Sequence, residues 1–117
     1  MDFSKIGFMY IDGQWTPSLS GETFTVINPA TAEPLAIVTR GGVEDTRKAI
    51  TAARRAFDEG PWPEMTAAER GALLYEFANL IEANAEEFAM IDTLNNGKPL
   101  RDSTYDVSDS VSCFRYY

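Results

Sequence analysis

The clearest pattern of apolar and polar positions runs from about residue 65 to residue 100. Leu73, Leu74, Phe77, Leu80 and Ile81 recur at i, i+1, i+4, i+7 and i+8, which is one face of a helix. Phe88, Ile91 and Leu94 continue at helical spacing in a second run. Each run has a start signal: Thr66 is followed three residues later by Glu69, and Asn84 by Glu87. In such a capping box the first side chain accepts a free N–H of the opening turn, and the glutamate reaches back to the cap's own N–H. The second run stops at Asn95-Asn96-Gly97-Lys98-Pro99, where glycine takes left-handed backbone readily and proline bars continuation. The pattern predicts a helix, a tight break, a second helix and a firm stop. Short helices of this kind do not hold their own conformational entropy, so both must bury their faces against something else.

Upstream the period is two. Residues 8–11 are apolar or aromatic, Asp12-Gly13 follows, and Gln14-Trp15-Thr16 returns. An Asp-Gly pair between such flanks predicts a hairpin, because a type I′ turn needs positive φ at both central residues. Residues 23–27 are rich in β-branched side chains and predict a strand. Residues 28–34 contain Pro29 and Pro34 and read as a turn, and 35–39 return as another strand. Gly41-Gly42 breaks the strand, and a helix follows over residues 43–58. Glu44 and Asp45 fall in its first turn and Arg54 and Arg55 in its last, both favourable to the helix dipole. Val43, Ile50, Ala53 and Phe57 form a narrow apolar stripe on it. Pro61-Trp62-Pro63 is a stiff link in which Trp62 is expected to plug a gap between helices. After Pro99 a last helix is expected, with Val107, Val111 and Phe114 at i, i+4 and i+7. Ser103, Ser108, Ser110 and Ser112 weaken its propensity, so packing must sustain it. Its pattern is still running at Arg115-Tyr116-Tyr117, which reads as a helix interrupted, not finished.

Composition narrows the function. The 117 residues suffice for one small domain, and 44% hydrophobic with 24% charged residues is an ordinary globular mix. The net charge of −8 argues against nucleic acid and anionic membranes as partners, since affinity for both comes from lysine and arginine. There is no histidine, which excludes a Ser-His-Asp or Cys-His site and a His-ligated zinc within the chain. A single cysteine, Cys113, excludes an intrachain disulfide and suggests a reducing compartment. Met1 to Lys5 carry no charged-then-apolar leader pattern and no apolar run approaches membrane-spanning length, so the expected location is the cytoplasm.

The candidate chemistry is sparse. The carboxylates fall at helix starts or on polar faces, and there is neither a G-x-G-x-x-G nor a P-loop. Asn96-Gly97-Lys98 reads as a helix stop rather than a phosphate contact. Cys113 lies between Val111 and Phe114, with no histidine in the chain and no predicted helix start near it to activate the thiol, and reads as a small buried or half-buried hydrophobe. Asp102, Asp106 and Asp109 share one face and read as a solvated acidic stripe.

Several pieces in order resemble the N-terminal region of the aldehyde dehydrogenase superfamily. They are Tyr10-Ile11-Asp12-Gly13-Gln14-Trp15, Val26-Ile27-Asn28-Pro29-Ala30-Thr31, Ala52-Ala53-Arg54-Arg55-Ala56-Phe57 running into Gly60-Pro61-Trp62, Glu69-Arg70-Gly71, Thr93-Leu94-Asn95-Asn96-Gly97-Lys98-Pro99 and Phe114-Arg115-Tyr116-Tyr117. The similarity covers the chain from about residue 8 and is strongest to the broad-specificity and betaine-aldehyde branch. Members of that family are several times longer than this chain. The resemblance implies NAD- or NADP-dependent oxidation of an aldehyde to an acid through a cysteine thiohemiacetal and a glutamate-activated water. It also implies that the catalytic residues and the main cofactor contacts lie outside these 117 residues, so that no residue here is assigned as catalytic or cofactor-binding and the chain alone is expected to be inactive. It implies a structural monovalent cation on the Ile27 carbonyl and the side chain at Asn95, where the family carries an aspartate and this chain a neutral amide. A homo-oligomer is implied for the complete enzyme. The family also usually has Asp near Gly42, where glycine is a less specific cap.

The expected fold is α+β: antiparallel hairpins over 8–40 and four helices over 43–117, forming the N-terminal portion (1–117) of an α/β cofactor-binding domain. The expected function is that of the N-terminal segment of an aldehyde-oxidising oxidoreductase, whose partner is the remainder of that enzyme. The rival reading is a standalone, non-catalytic interaction module from the same family that uses exposed apolar helix faces.

Overall fold

A computed structural model describes residues 6–117; the leader reading of residues 1–5 lies outside them. Asp12 and Gly13 both have positive φ, 54° and 75°. They join β1 (Met9–Ile11) to β2 (Gln14–Thr16), with Ile11 opposite Gln14, so the Asp-Gly signal forms the two-residue hairpin it predicts. A second antiparallel pair follows, β3 (Thr23–Ile27) with β4 (Pro34–Thr39), its register shifting between Val26 and Ile27. The turn between them is closed by Asn28, whose N–H donates to the Glu33 carbonyl at 2.9 Å and whose Oδ1 accepts the Ala30 N–H at 2.9 Å. Gly7 lies along β4, donating to the Ile37 carbonyl and accepting from the Thr39 N–H, both at 2.9 Å.

Four α-helices complete the chain: α1 (Val43–Glu59), α2 (Ala67–Ala83), α3 (Ala85–Asn96) and α4 (Leu100–Tyr116). The α+β expectation, hairpins then four helices, is the architecture observed. The chain divides into two compact units. One holds the residues up to Ile27 together with Pro34–Glu64; the other holds Asn28–Glu33 and Met65–Tyr117.

In the first unit, α1 starts without a side chain at its cap. Gly42 supplies only backbone, and Asp45 takes over: its Oδ2 accepts the Gly42 N–H at 2.9 Å and its Oδ1 accepts the Leu19 N–H at 3.1 Å. Asp45 is buried, so this carboxylate ties the loop after β2 to the helix start as well as answering the helix dipole. Two expectations for α1 need correction. Arg54 and Arg55 stand before the last turn and are paired sideways, Arg54 with Asp58 and Arg55 with Asp12 at 2.5 Å. Each arginine is held above its ordinary pKa by its carboxylate partner. The apolar stripe of Val43, Ile50 and Phe57 is exposed; Ala49 and Ala52, which are half-buried, line a groove with Tyr10 and Ile11 of the hairpin. Small alanines allow the close approach that the large residues would prevent. Trp62 is also corrected: it sits in a 3-10 turn, Trp62–Glu64, and is 42% exposed, too open for a plug.

In the second unit, α2 begins as its sequence predicts. Thr66 Oγ1 accepts the Glu69 N–H at 3.3 Å, while Glu69 Oε2 accepts the Thr66 N–H and hydroxyl, each at 2.8 Å. The second expected capping box does not form. A single residue, Asn84, ends α2 and begins α3, and its backbone (φ −116°, ψ 19°) is not the extended form a cap needs. Its side chain turns back, donating Nδ2 to the Leu80 carbonyl at 2.8 Å. The stop at Gly97 is as expected: φ is 82°, and its N–H donates to the Thr93 carbonyl at 2.9 Å.

The packing core of this unit is made of small residues. Ala78 of α2, Ala89 of α3 and Ser103 and Val111 of α4 are the buried positions of these helices, with Ala78 and Ser103 at 0% exposure. The larger apolar residues that define the sequence pattern lie mostly outside that core. Leu73, Phe77, Leu80, Phe88 and Ile91 are all exposed, Leu80 at 63%.

Candidate functional site

The second unit has an open groove of about 530 Å³ where α2, α3 and α4 meet. Phe77, Ile81, Phe88 and Phe114 form its apolar floor, and Phe77 meets Phe114 edge-on with ring centroids 4.9 Å apart. One wall is charged. Lys98, just past the Gly97 stop, swings over to α4 and pairs with Asp106, and lies 3.4 Å from Asp92 of α3. The hydrogen bond to Asp106, with the nearby charges of both carboxylates, holds the Lys98 ammonium above its ordinary pKa. A lysine neutralised in this way makes a poor phosphate contact, which supports reading Asn96-Gly97-Lys98 as a helix stop.

Behind that wall α3 and α4 are latched by hydroxyls. Ser103 donates to Asp92 Oδ2 at 2.9 Å, and Thr93 Oγ1 lies 3.0 Å from Ser103 Oγ. Ser103 is fully buried. Sequence reasoning treated it only as a residue that weakens a helix; nothing in its spacing marks it as a tie to α3. The end of α4 is fastened to α2 by a second missed group. Arg115 donates to Glu82 through both terminal nitrogens, at 3.2 and 2.6 Å, and to Asn79 Oδ1 at 2.9 Å, and lies over the Tyr75 ring at 5.4 Å. The hydrogen bond from Arg115 and its charge hold the Glu82 carboxyl below its ordinary pKa.

The individual candidates fall as follows. Ile27 ends β3 and is 46% exposed. Asn95 is an exposed residue in the last turn of α3. Cys113 is exposed on α4, which corrects its reading as a buried or half-buried hydrophobe. Asp106 of the acidic stripe is tied to Lys98 and Asp102 to Arg101, and among the described residues no group of three or more Cys, Asp or Glu is placed to hold a metal ion. No helix among them is long and apolar enough to cross a membrane. Among the described residues the sheets are two-stranded and antiparallel, so they offer no parallel strand-turn-helix to cradle a pyrophosphate, and the groove between α2, α3 and α4 presents carboxylates around an already paired lysine. What the groove offers is an apolar floor with one charged wall, the chemistry of a docking face.

The comparisons with known proteins agree in direction. The model of the aldehyde dehydrogenase family matches residues 15–117. The chain belongs to the aldehyde dehydrogenase family. It is 46% identical over 110 residues to aldehyde dehydrogenase family 2 member B4, mitochondrial, of Arabidopsis thaliana, a match covering 93% of this chain and 20% of that protein. It is 41% identical over 109 residues to betaine aldehyde dehydrogenase of Bacillus subtilis, covering 93% and 22%. Among solved structures, an aldehyde dehydrogenase from Bacillus cereus in complex with NAD+ superposes with a TM-score of 0.93 at 43% identity, over 98% of this chain and 24% of that one. The chain thus spans about a fifth to a quarter of the length of the aldehyde dehydrogenases it matches. Both kinds of relative suggested by the resemblance, general and betaine aldehyde dehydrogenases, are among them.

Proposed function

We propose that this chain supplies the N-terminal hairpins and helices of an enzyme that oxidises an aldehyde to a carboxylic acid with NAD or NADP, the catalytic cysteine, the water-activating glutamate and the main cofactor contacts lying outside it. One observation carries the reading: nearly the whole chain follows the aldehyde dehydrogenase fold, yet it covers only 24% of the Bacillus cereus enzyme. The exposed apolar residues of α2 and α3 support it, because a large body beside them would remove that surface from water. In this reading the chain's partner is the rest of the enzyme, which works as a homo-oligomer in the cytoplasm. A monovalent cation on the Ile27 carbonyl and Asn95 belongs to the same proposal and rests on the resemblance alone.

Two measurements test it. Reading the gene past the codon for Tyr117 should show a frame that leads into cofactor-binding and cysteine motifs; a stop codon followed by unrelated sequence would remove the proposal. The chain alone, given aldehyde and NAD+ or NADP+ and followed at the absorbance of the reduced cofactor, should show no turnover. Activity above background would mean that its catalytic groups lie within residues 1–117.

A further inference from the structure

Asn96 and Gly97 form the dipeptide in which the backbone nitrogen of the second residue meets the least steric hindrance when it attacks the side-chain carbonyl of the first. Here both groups are held away from that reaction. Asn96 is the last residue of α3, and its backbone is fixed in the helix. Gly97 commits its N–H to the Thr93 carbonyl at 2.9 Å. The Asn96 amide is fixed at both ends: Nδ2 donates to Asp92 Oδ1 at 2.6 Å, and Oδ1 accepts the Lys98 N–H at 2.8 Å. Gly97 is also hemmed in by the turn after β3, since a Cβ built on it would stand 3.0 Å from Pro29 Cγ. These contacts all lie within the second unit.

We propose that Asn96 is a deamidation site gated by the C-terminal cap of α3: closed while the cap is formed, reactive when residues 92–98 open, and unable to re-form the same cap once it has reacted. In the open segment the Gly97 nitrogen gives up its proton and bonds to the Asn96 side-chain carbon. The bond from that carbon to the amide nitrogen breaks, and ammonia leaves. Water then opens the cyclic imide to aspartate or isoaspartate, so that one amide and one water become one carboxylic acid and one ammonia, with no oxidant or reductant needed. The product does not fit the closed cap. Aspartate at 96 loses the donor to Asp92, places like charges at i and i+4, and puts a negative charge at the negative end of the helix dipole. Isoaspartate lengthens the backbone and breaks the ladder as well.

The inference does not depend on the enzymatic reading. The test incubates the 117-residue chain in mildly alkaline buffer and in unfolding urea, and follows acid formation at Asn96 by peptide mass spectrometry, with Asn95 as the neighbouring reference. Reaction at Asn96 should be about tenfold or more slower in buffer than in urea, as expected when only locally opened molecules react. As urea is raised below the unfolding transition, the rate should rise in parallel with hydrogen exchange of the Gly97 amide. Equal rates in buffer and urea, or deamidation that does not follow Gly97 exchange, would overturn the gate. Asn96→Asp, made directly, should melt at a lower temperature than the parent chain; an equal or higher midpoint would overturn the claim that the product cannot restore the cap.

Discussion

Ser103→Ala is the most informative single change to the helical unit. Alanine is no larger than serine, so the substitution creates no clash at a fully buried position; it removes one oxygen. Two interactions go with it. Asp92 loses a hydroxyl donor at 2.9 Å, and the Thr93 hydroxyl loses its partner at 3.0 Å. A hydrogen bond to a charged group contributes about 1.5–3 kcal/mol. Asp92 keeps Asn96 Nδ2 at 2.6 Å and Lys98 Nζ at 3.4 Å, so it is not orphaned, which places the expected loss in the lower half of that range, about 2 kcal/mol. With an unfolding entropy of about 2.1 cal/mol/K per residue over a chain of this size, the midpoint should fall by about 8 °C. The assay is urea and thermal unfolding followed by helical circular dichroism, with the slope against urea unchanged if the transition stays two-state. Asp92→Ala, alone and combined with Ser103→Ala, completes a cycle in which the two changes should be non-additive by about 1 kcal/mol or more. A loss under about 0.5 kcal/mol, or strict additivity, would mean that the hydroxyl latch does not hold α3 to α4.

Substitutions at two further positions probe the ends of the helices. Thr66→Ala should cost about 1 kcal/mol at neutral pH by removing the cap of α2. Hydrogen bonds from Thr66 hold the Glu69 carboxyl below its ordinary pKa, so its stabilisation is present above the unfolded value and is lost as pH falls through the lower folded one. The difference between Thr66→Ala and the parent chain should therefore shrink, without vanishing, in acid well below the ordinary glutamate value of about 4.3; a difference that stays constant would refute the reciprocal cap. Gly97→Ala should cost about 1–2 kcal/mol for left-handed backbone, and the clash with Pro29 should add to it. Gly97→Asn should be milder, because asparagine tolerates that conformation. A neutral Gly97→Ala in urea unfolding would mean that the cap at 97 is not tightly formed.

The turns and most of the helix ends were legible because each depends on chemistry within a few residues. Asp12-Gly13 needs only its own φ angles, Thr66 and Glu69 only each other, and Gly97 only the carbonyl one turn back. Asn84 failed for a local reason that spacing does not reveal: one residue serves two helices, and a backbone that closes α2 is not the backbone that caps α3. The ties between helices were not legible. Ser103 to Asp92 and Arg115 to Glu82 join residues 11 and 33 positions apart, and in both cases the side chain looks ordinary in sequence.

The apolar pattern was legible as helix and as a face that must be covered, and the large residues of that face stay largely open to water in this chain. Periodicity marks a face made to leave water, but it does not say whether the surface that covers it lies in the same chain. Along α2, Leu73, Phe77 and Leu80 are exposed, while Ala78 makes the contact that is fully buried. The seams between α2, α3 and α4 use alanine, serine and a valine, side chains small enough to bring helices close while the bulky ones project outward. A helix apolar on more than one side belongs inside a larger body. Small residues close the helix seams and most of the large ones stay open to water, which supports the proposal that the segment contributes to the core of a larger enzyme. Well-made caps, an internal latch and an uncovered apolar surface are what that proposal expects of a chain matching a fifth to a quarter of an aldehyde dehydrogenase.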